Sequence, residues 1–332
     1  MKAMLLRQPR PVDVAPLRLV DLPTPTPGPR HIRLRIRVCG VCRTDLHQIE
    51  GDLSLPKLPV VPGHQIVGVV DRVGDGVTQF RLGDRVGVPW LYSTCGQCPF
   101  CRRGKENLCA SGQFTGFHVD GGYAQYIVVS EEYAYHLPPQ LPDAQVAPLL
   151  CAGVIGYRAL RLSGIRPGER LGLYGFGGSA HIVIQIARYW ECEVYVFTRS
   201  EQHRELAREL GAAWVGRADE TPPKKMHSGI VFAPAGWIVR EALQGLEKGG
   251  TLSLAGIYMT PIPELDYDLL YHERTIRSAT NSTREDVREL LRLADEIPIR
   301  TRVEHFSLEA ANQALQKLKR SEIIGAAVLE IP

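Results

Sequence analysis

The sequence predicts a two-domain α/β protein, in which an all-β unit precedes a doubly wound parallel sheet and receives the last part of the chain back. Three observations lead there. A chain of 332 residues is long for one ordinary core. Up to about residue 150, short runs of β-branched residues alternate with polar ones between Gly and Pro turns. Beyond it, strand-like and helix-like periods alternate, which is the pattern of βαβ units. The expected boundaries are 1–150 together with 282–332 for one domain and 151–281 for the other.

The elements follow in order. Ile32, Leu34, Ile36 and Val38 alternate with three arginines after a proline-rich turn at 23–29, so 32–38 is expected to be a half-buried strand. Further strands are expected at 67–73, 83–88 and 126–129, enough for a partly closed barrel. Residues 153–163 have helical period, 171–174 form a strand, and 175–181 turn into a helix at 182–189. A strand at 194–197, a helix at 201–210 and strands at 230–233 and 251–255 complete the parallel sheet. Helices at 284–294 and 308–318 and a strand at 326–331 end the chain.

Composition narrows the function classes. An apolar fraction of 44% and a charged fraction of 23% describe a globular protein. The net charge of +3 is small and the basic residues are scattered, so neither a nucleic acid nor a membrane surface is expected as partner. The first residues lack the apolar core of a secretory signal and no run approaches 18 apolar residues, so a cytoplasmic location is expected.

Eight cysteines give the strongest local signal. Cys95, Cys98, Cys101 and Cys109 fall inside fifteen residues, in a lobe at about 90–112. Zinc takes four thiolates in a tetrahedron, and two-residue steps let one tight loop aim successive sulfurs at one point. Disulfides are disfavoured in a reducing compartment, and the loop has no apolar pattern that would bury unrelated thiols. Four protein ligands close the site, so this zinc holds a loop and performs no chemistry. Cys39 and Cys192 sit in apolar runs and read as buried small hydrophobes. Cys42 and Cys151 are left over.

The turn Gly175-Phe176-Gly177-Gly178-Ser179-Ala180 follows a strand and opens a helix, which lifts a weak motif into a dinucleotide-binding one. Small residues let the backbone approach a pyrophosphate, and the helix N-terminus offers free N–H groups to it. An acid about 20 positions on would accept ribose hydroxyls, but here stand Thr198, Arg199 and Ser200. A guanidinium pairs with a 2′-phosphate, so NADP(H) is expected over NAD(H); the plainer reading of Arg199 is a solvated surface arginine.

Several motifs occur together and in one order: Gly40-Val41-Cys42-Arg43-Thr44-Asp45-Leu46-His47, Gly63-His64 with Gly68, Gly74 and Val77, the four-cysteine loop, and Leu149-Leu150-Cys151-Ala152-Gly153. In this the chain resembles the zinc-dependent alcohol dehydrogenases of the medium-chain dehydrogenase/reductase superfamily, from first strand to last. The resemblance implies a GroES-like catalytic domain, a Rossmann domain and a site in the cleft between them. It implies two zincs per chain, one structural and one catalytic, the latter held by Cys42, His64 and Cys151 with a fourth position for substrate. Thr44 would take the substrate proton and His47 relay it, although Thr44 could be a helix-capping hydroxyl and His47 a solvated loop residue. Asp45 would fix His64 from behind, Arg43 would touch the cofactor pyrophosphate, and Trp90 would line a pocket for slender alcohols or simply belong to the core.

The chain departs from the family at two places. Gln65 stands where most members have Glu, which leaves the zinc site one negative charge weaker and is expected to alter turnover. Ala326 stands where some relatives carry a phosphate-binding Arg. The expected activity is reversible hydride transfer between a primary or secondary alcohol and NAD(P). The alternatives are a cinnamyl-type reductase of aromatic or allylic aldehydes that uses NADPH, and a non-catalytic zinc-binding nucleotide sensor. By resemblance, an exposed sheet edge around 251–255 and 272–278 predicts a homodimer or homotetramer.

Overall fold

A computed structural model describes all residues, 1–332, and the chain forms two compact units. The first contains Met1–Cys151, Asn281–Glu296 and Thr301–Pro332, and the second Ala152–Thr280 with Ile297–Arg300. No single helix is long and apolar enough to cross a membrane.

The first unit is built on a seven-stranded sheet. The long strand His31–Val41 is central. On one side it pairs antiparallel with Ile66–Val73, and on the other with Tyr126–Ser130 along its first half and with the strand Ala326–Glu330 along its second, through Ala327 opposite Val41 and Leu329 opposite Cys39. Arg85–Val88, Tyr135–His136 and Val303–Ser307 complete the sheet. Alternation buries Ile32, Leu34 and Ile36 in one core with Val70, Val86, Ile127 and Leu329. The arginines between them face outward, where Arg33 pairs with Asp71 at 2.9 Å.

The second unit has six parallel strands. Their spatial order is Trp214–Gly216, Glu193–Phe197, Arg170–Tyr174, Met226–Val231, Leu246–Leu254 and Thr275–Ser278, or 3-2-1-4-5-6 by rank along the chain. Right-handed crossovers that first move one way and then the other place helices on both faces and open a crevice where the order reverses. On one face, Tyr174, Phe197 and Leu252 pack with Ile238, Val239 and Leu243 of the helix Trp237–Gln244.

Among the elements not expected from the sequence are the helix Arg43–Glu50, the strand Trp214–Gly216 and the helix Trp237–Gln244. The strand has three residues, too few for a period to register. The last helix has no side-chain cap and carries β-branched Ile238 and Val239 in its first turn, so burial rather than propensity sustains it. The expected helix 308–318 divides into a 3-10 turn, Leu308–Ala310, and the helix Ala311–Lys319.

Candidate active site

Antiparallel pairing brings the first two chemical residues together. Cys39 lies opposite Ile66, so Cys42, three residues past one partner, and His64, two before the other, leave the same end of the sheet. Cys42 then starts the helix Arg43–Glu50. Its Sγ accepts from the Thr44 N–H at 3.4 Å, and Asp45 accepts the Cys42 N–H at 2.9 Å. This reciprocal cap fixes both side chains from the backbone. Thr44 is therefore not the capping residue. Cys151 arrives from the 3-10 turn Ala147–Leu150, which packs against both strands.

The three side chains converge. Cys42 Sγ lies 3.8 Å from Cys151 Sγ, and His64 Nε2 lies 3.3 Å from the same sulfur. Neither cysteine is in a disulfide. Sulfurs 2.3 Å from one tetrahedral zinc are about 3.8 Å apart, so two thiols and an imidazole nitrogen are spaced for one ion. The charges agree. Burial alone would lower the basicity of His64, but Asp45 and Cys42 outweigh it and push the ring up to about 10. Such an excess of negative charge in a closed pocket suits a cation.

Asp45 is fully buried behind His64. Its Oδ1 lies 3.0 Å from Nδ1 of His64, an ion-pair distance at an angle outside hydrogen-bond geometry. Its Oδ2 accepts from the Tyr123 hydroxyl at 3.2 Å. Burial and the Asp45 charge push the Tyr123 phenol far up, so the hydroxyl acts as donor.

The second cluster has a different build. Cys95 and Cys109 are 3.5 Å apart, Cys98 and Cys101 3.5 Å, and Cys95 and Cys101 3.9 Å. Backbone N–H groups of Cys98, Cys101 and Cys95 point at Cys95, Cys98 and Cys109 sulfurs in turn. Donors from Gln97 and Cys98 lower Cys95 to about 6, which favours the thiolate. Two sites of suitable donors, three and four residues strong, thus lie in the first unit.

Comparison with known proteins agrees with this geometry. A family model for the alcohol dehydrogenase GroES-like domain matches residues 28–139, and one for zinc-binding dehydrogenases matches 178–296. The probable alcohol dehydrogenase AdhA of Mycobacterium tuberculosis is 46% identical over 337 aligned positions, covering 100% of this chain and 97% of that one. This chain is a zinc-type alcohol dehydrogenase of the medium-chain dehydrogenase/reductase superfamily. Among solved structures, acetophenone reductase from Geotrichum candidum in complex with NAD superposes with a TM-score of 0.90 at 26% identity, over 99% of this chain and 96% of that one. The CAD from Helicobacter pylori complexed with NADP(H) does so with 0.89 at 25%, again over 99% and 96%.

Around the three-residue set, this alcohol dehydrogenase arranges further groups. The Trp90 ring meets His64 edge-on at 4.7 Å and stacks on Phe114 at 5.2 Å, with Phe117 close by. His47 lies one helical turn beyond Thr44, its Nδ1 2.8 Å from Asp52. Arg43 is exposed and donates to the Ser321 hydroxyl at 3.1 Å. Gln65 is buried, its Oε1 has no partner, and a Cβ at Gly40 would approach its amide to 2.9 Å. Gln65 Cβ is equally close, so the side chain at 65 as a whole leaves no room for a Cβ at 40.

Apart from Arg43, the residues expected to bind the cofactor lie in the second unit. Gly175 ends the strand Arg170–Tyr174 with φ +90°, a conformation that favours glycine. Gly177 has open space where a Cβ would be, and buried Ala180 begins the helix Ala180–Tyr189. Residues 197–200, which follow directly from the strand Glu193–Phe197, include no acid. Thr198 is nearly buried, while Arg199 is exposed and makes no ion pair. The Ser200 hydroxyl is occupied as the cap of the helix Glu201–Glu209, where it accepts from the His203 N–H. Three contributors carried no sequence signal of their own: Tyr123 behind Asp45, Asp52 beside His47, and Arg204, whose Nε donates to the Thr198 carbonyl at 3.0 Å. Each is an ordinary residue type outside any motif, visible only through its partner.

Proposed function

We propose that the chain interconverts a primary or secondary alcohol and its aldehyde or ketone, with Cys42, His64 and Cys151 holding a catalytic zinc and Cys95, Cys98, Cys101 and Cys109 a structural one. The observation that carries this reading is the convergence of buried His64 and half-buried Cys42 and Cys151 beside an aromatic wall, since three protein ligands leave one coordination position for substrate. When bound, zinc supplies Lewis acidity at the substrate oxygen, and nicotinamide supplies or accepts the hydride. The chain's own residues do the rest. Asp45 orients His64 so that Nε2 faces the thiols. Thr44 takes the proton of the alcohol hydroxyl, and His47, oriented by Asp52, carries it toward solvent. Arg43 and the turn of Gly175, Gly177, Gly178 and Ala180 bind the pyrophosphate. Gln65 leaves the pocket without the carboxylate most relatives have.

NADP(H) is the preferred cofactor, supported by the missing acid at 197–200, the unpaired Arg199 and the second guanidinium of Arg204 at the same turn. The plane of Trp90, stacked with Phe114, also favours a second reading in which flat aromatic or allylic aldehydes are the substrates. A homodimer or homotetramer is the proposed assembly. Ile257, Tyr258, Ile262, Tyr267 and Tyr271 are all exposed in the segment that leads into the edge strand Thr275–Ser278, and exposed apolar surface of this kind favours association. The decisive experiment combines metal analysis with an alcohol and aldehyde series, from ethanol to cinnamyl alcohol, against both cofactors. Two zincs per chain are expected. In Cys151→Ser, one zinc and a loss of at least about a thousand-fold in kcat are expected, a size typical of losing a principal electrostatic stabiliser. Full activity in that variant would end the reading.

A further inference from the structure

Tyr123 stands out among the buried polar side chains because it joins two separate pieces of the metal-ligating pocket and has no assigned task. Its backbone is stitched to the segment just before His64: Tyr123 N–H donates to Pro62 at 2.9 Å, Gly122 N–H to Gly63 at 2.9 Å, and Gly121 N–H to Val61 at 2.7 Å. Its ring lies against Gly63, where a Cβ would come within 2.4 Å and φ is +98°. Its hydroxyl reaches Asp45, on the helix that Cys42 caps. No part of the ring is exposed.

The carboxylate of Asp45 divides its oxygens. Oδ2 takes the Cys42 N–H and the Tyr123 hydroxyl, and Oδ1 is turned to His64 Nδ1. With only the Cys42 N–H on Oδ2, the carboxylate could rotate about its terminal bond, a torsion with a broad energy well. Two donors on one oxygen remove that freedom. We propose that the Tyr123 hydroxyl is a positioning group of the metal centre: by donating to Asp45 it holds the carboxylate toward His64 and thereby slows loss of the metal from Cys42, His64 and Cys151. This rests on the reading of those three residues as metal ligands. Outer partners of ligating histidines characteristically change metal retention by about ten- to a hundred-fold. A group that merely filled space beneath Gly63 would have no such selective effect.

The test is metal release from the zinc-loaded protein into excess chromogenic chelator, comparing wild type, Tyr123→Phe, Asp45→Asn and the double variant, with Cys151→Ser to identify the phase from the four-cysteine loop. Y123F keeps the ring and deletes one oxygen. It is expected to release one equivalent at least about ten-fold faster, to leave the loop's equivalent unchanged, and to retain the wild-type circular dichroism. In the D45N background, Y123F should add nothing, because the hydroxyl acts through that carboxylate. The proposal is overturned if both equivalents accelerate together, if release is unchanged, if the effect persists in D45N, or if Y123F no longer folds, which would make the hydroxyl a part of the fold. A wild-type protein that yields only one equivalent would instead sink the ligand reading itself.

Discussion

Arg199 illustrates how much one exposed side chain decides. It lies two residues beyond the strand Glu193–Phe197 with no ion-pair partner, next to the Thr198 carbonyl that Arg204 already binds. If it receives a 2′-phosphate, Arg199→Ala should raise KM for NADP(H) by roughly ten-fold, the low end for a hydrogen bond to a charged group at an exposed site, and leave KM for NAD(H) within about two-fold. Steady-state kinetics with both cofactors would measure the ratio, and an unchanged ratio would remove Arg199 from the site. At this scale the sequence was informative wherever a residue type is rare or a spacing is tight. The four-cysteine loop was legible from spacing alone. Cys42, His64 and Cys151 were not: they lie up to 109 positions apart, no spacing rule unites them, and only their likeness to a family suggested that they meet. Tyr123 was illegible because its role comes from the approach of Gly63 and Asp45, which no local pattern encodes.

At the level of elements, periodicity found the long strands and amphipathic helices and missed pieces held by burial, such as Trp237–Gln244. The helix Ala180–Tyr189 carries a testable consequence of its own. His181, in its first turn, is buried; its Nδ1 lies 3.2 Å from the Gly177 carbonyl and its Nε2 has no partner. Burial pushes the ring down to about 4, against the opposing pull of the Gly177 and Gly178 backbone. The folded imidazole is therefore neutral where the unfolded one, near 6.5, takes up a proton. Stability from this group is fully present above about pH 6.5 and declines as the pH falls toward 4. Between pH 7 and pH 5 the wild type should lose about 2 kcal/mol more than His181→Asn, whose amide can still donate to Gly177. Urea midpoints at the two pH values would measure it, and equal losses would refute it.

For the whole molecule, the open question is association. If the apolar surface beside Thr275–Ser278 is an interface, the wild type should sediment at a multiple of the 36.9 kDa chain mass, and Tyr267→Ser with Tyr271→Ser should shift it toward a single chain. A monomeric wild type would refute the assembly. The strand Ala326–Glu330 bears on how the protein is made. It lies between Val303–Ser307 and His31–Val41, so Val38–Val41 of the central strand stay unpaired on that flank until Ala327–Glu330 have been synthesised. The Rossmann unit has its strands consecutive and can fold earlier on the ribosome. The strand His31–Val41 is thus among the last to be completed, and in the meantime part of its edge is exposed to neighbouring nascent chains. A chain that stopped short of Ala326 would keep a nucleotide-binding half that looks healthy and a barrel that never closes.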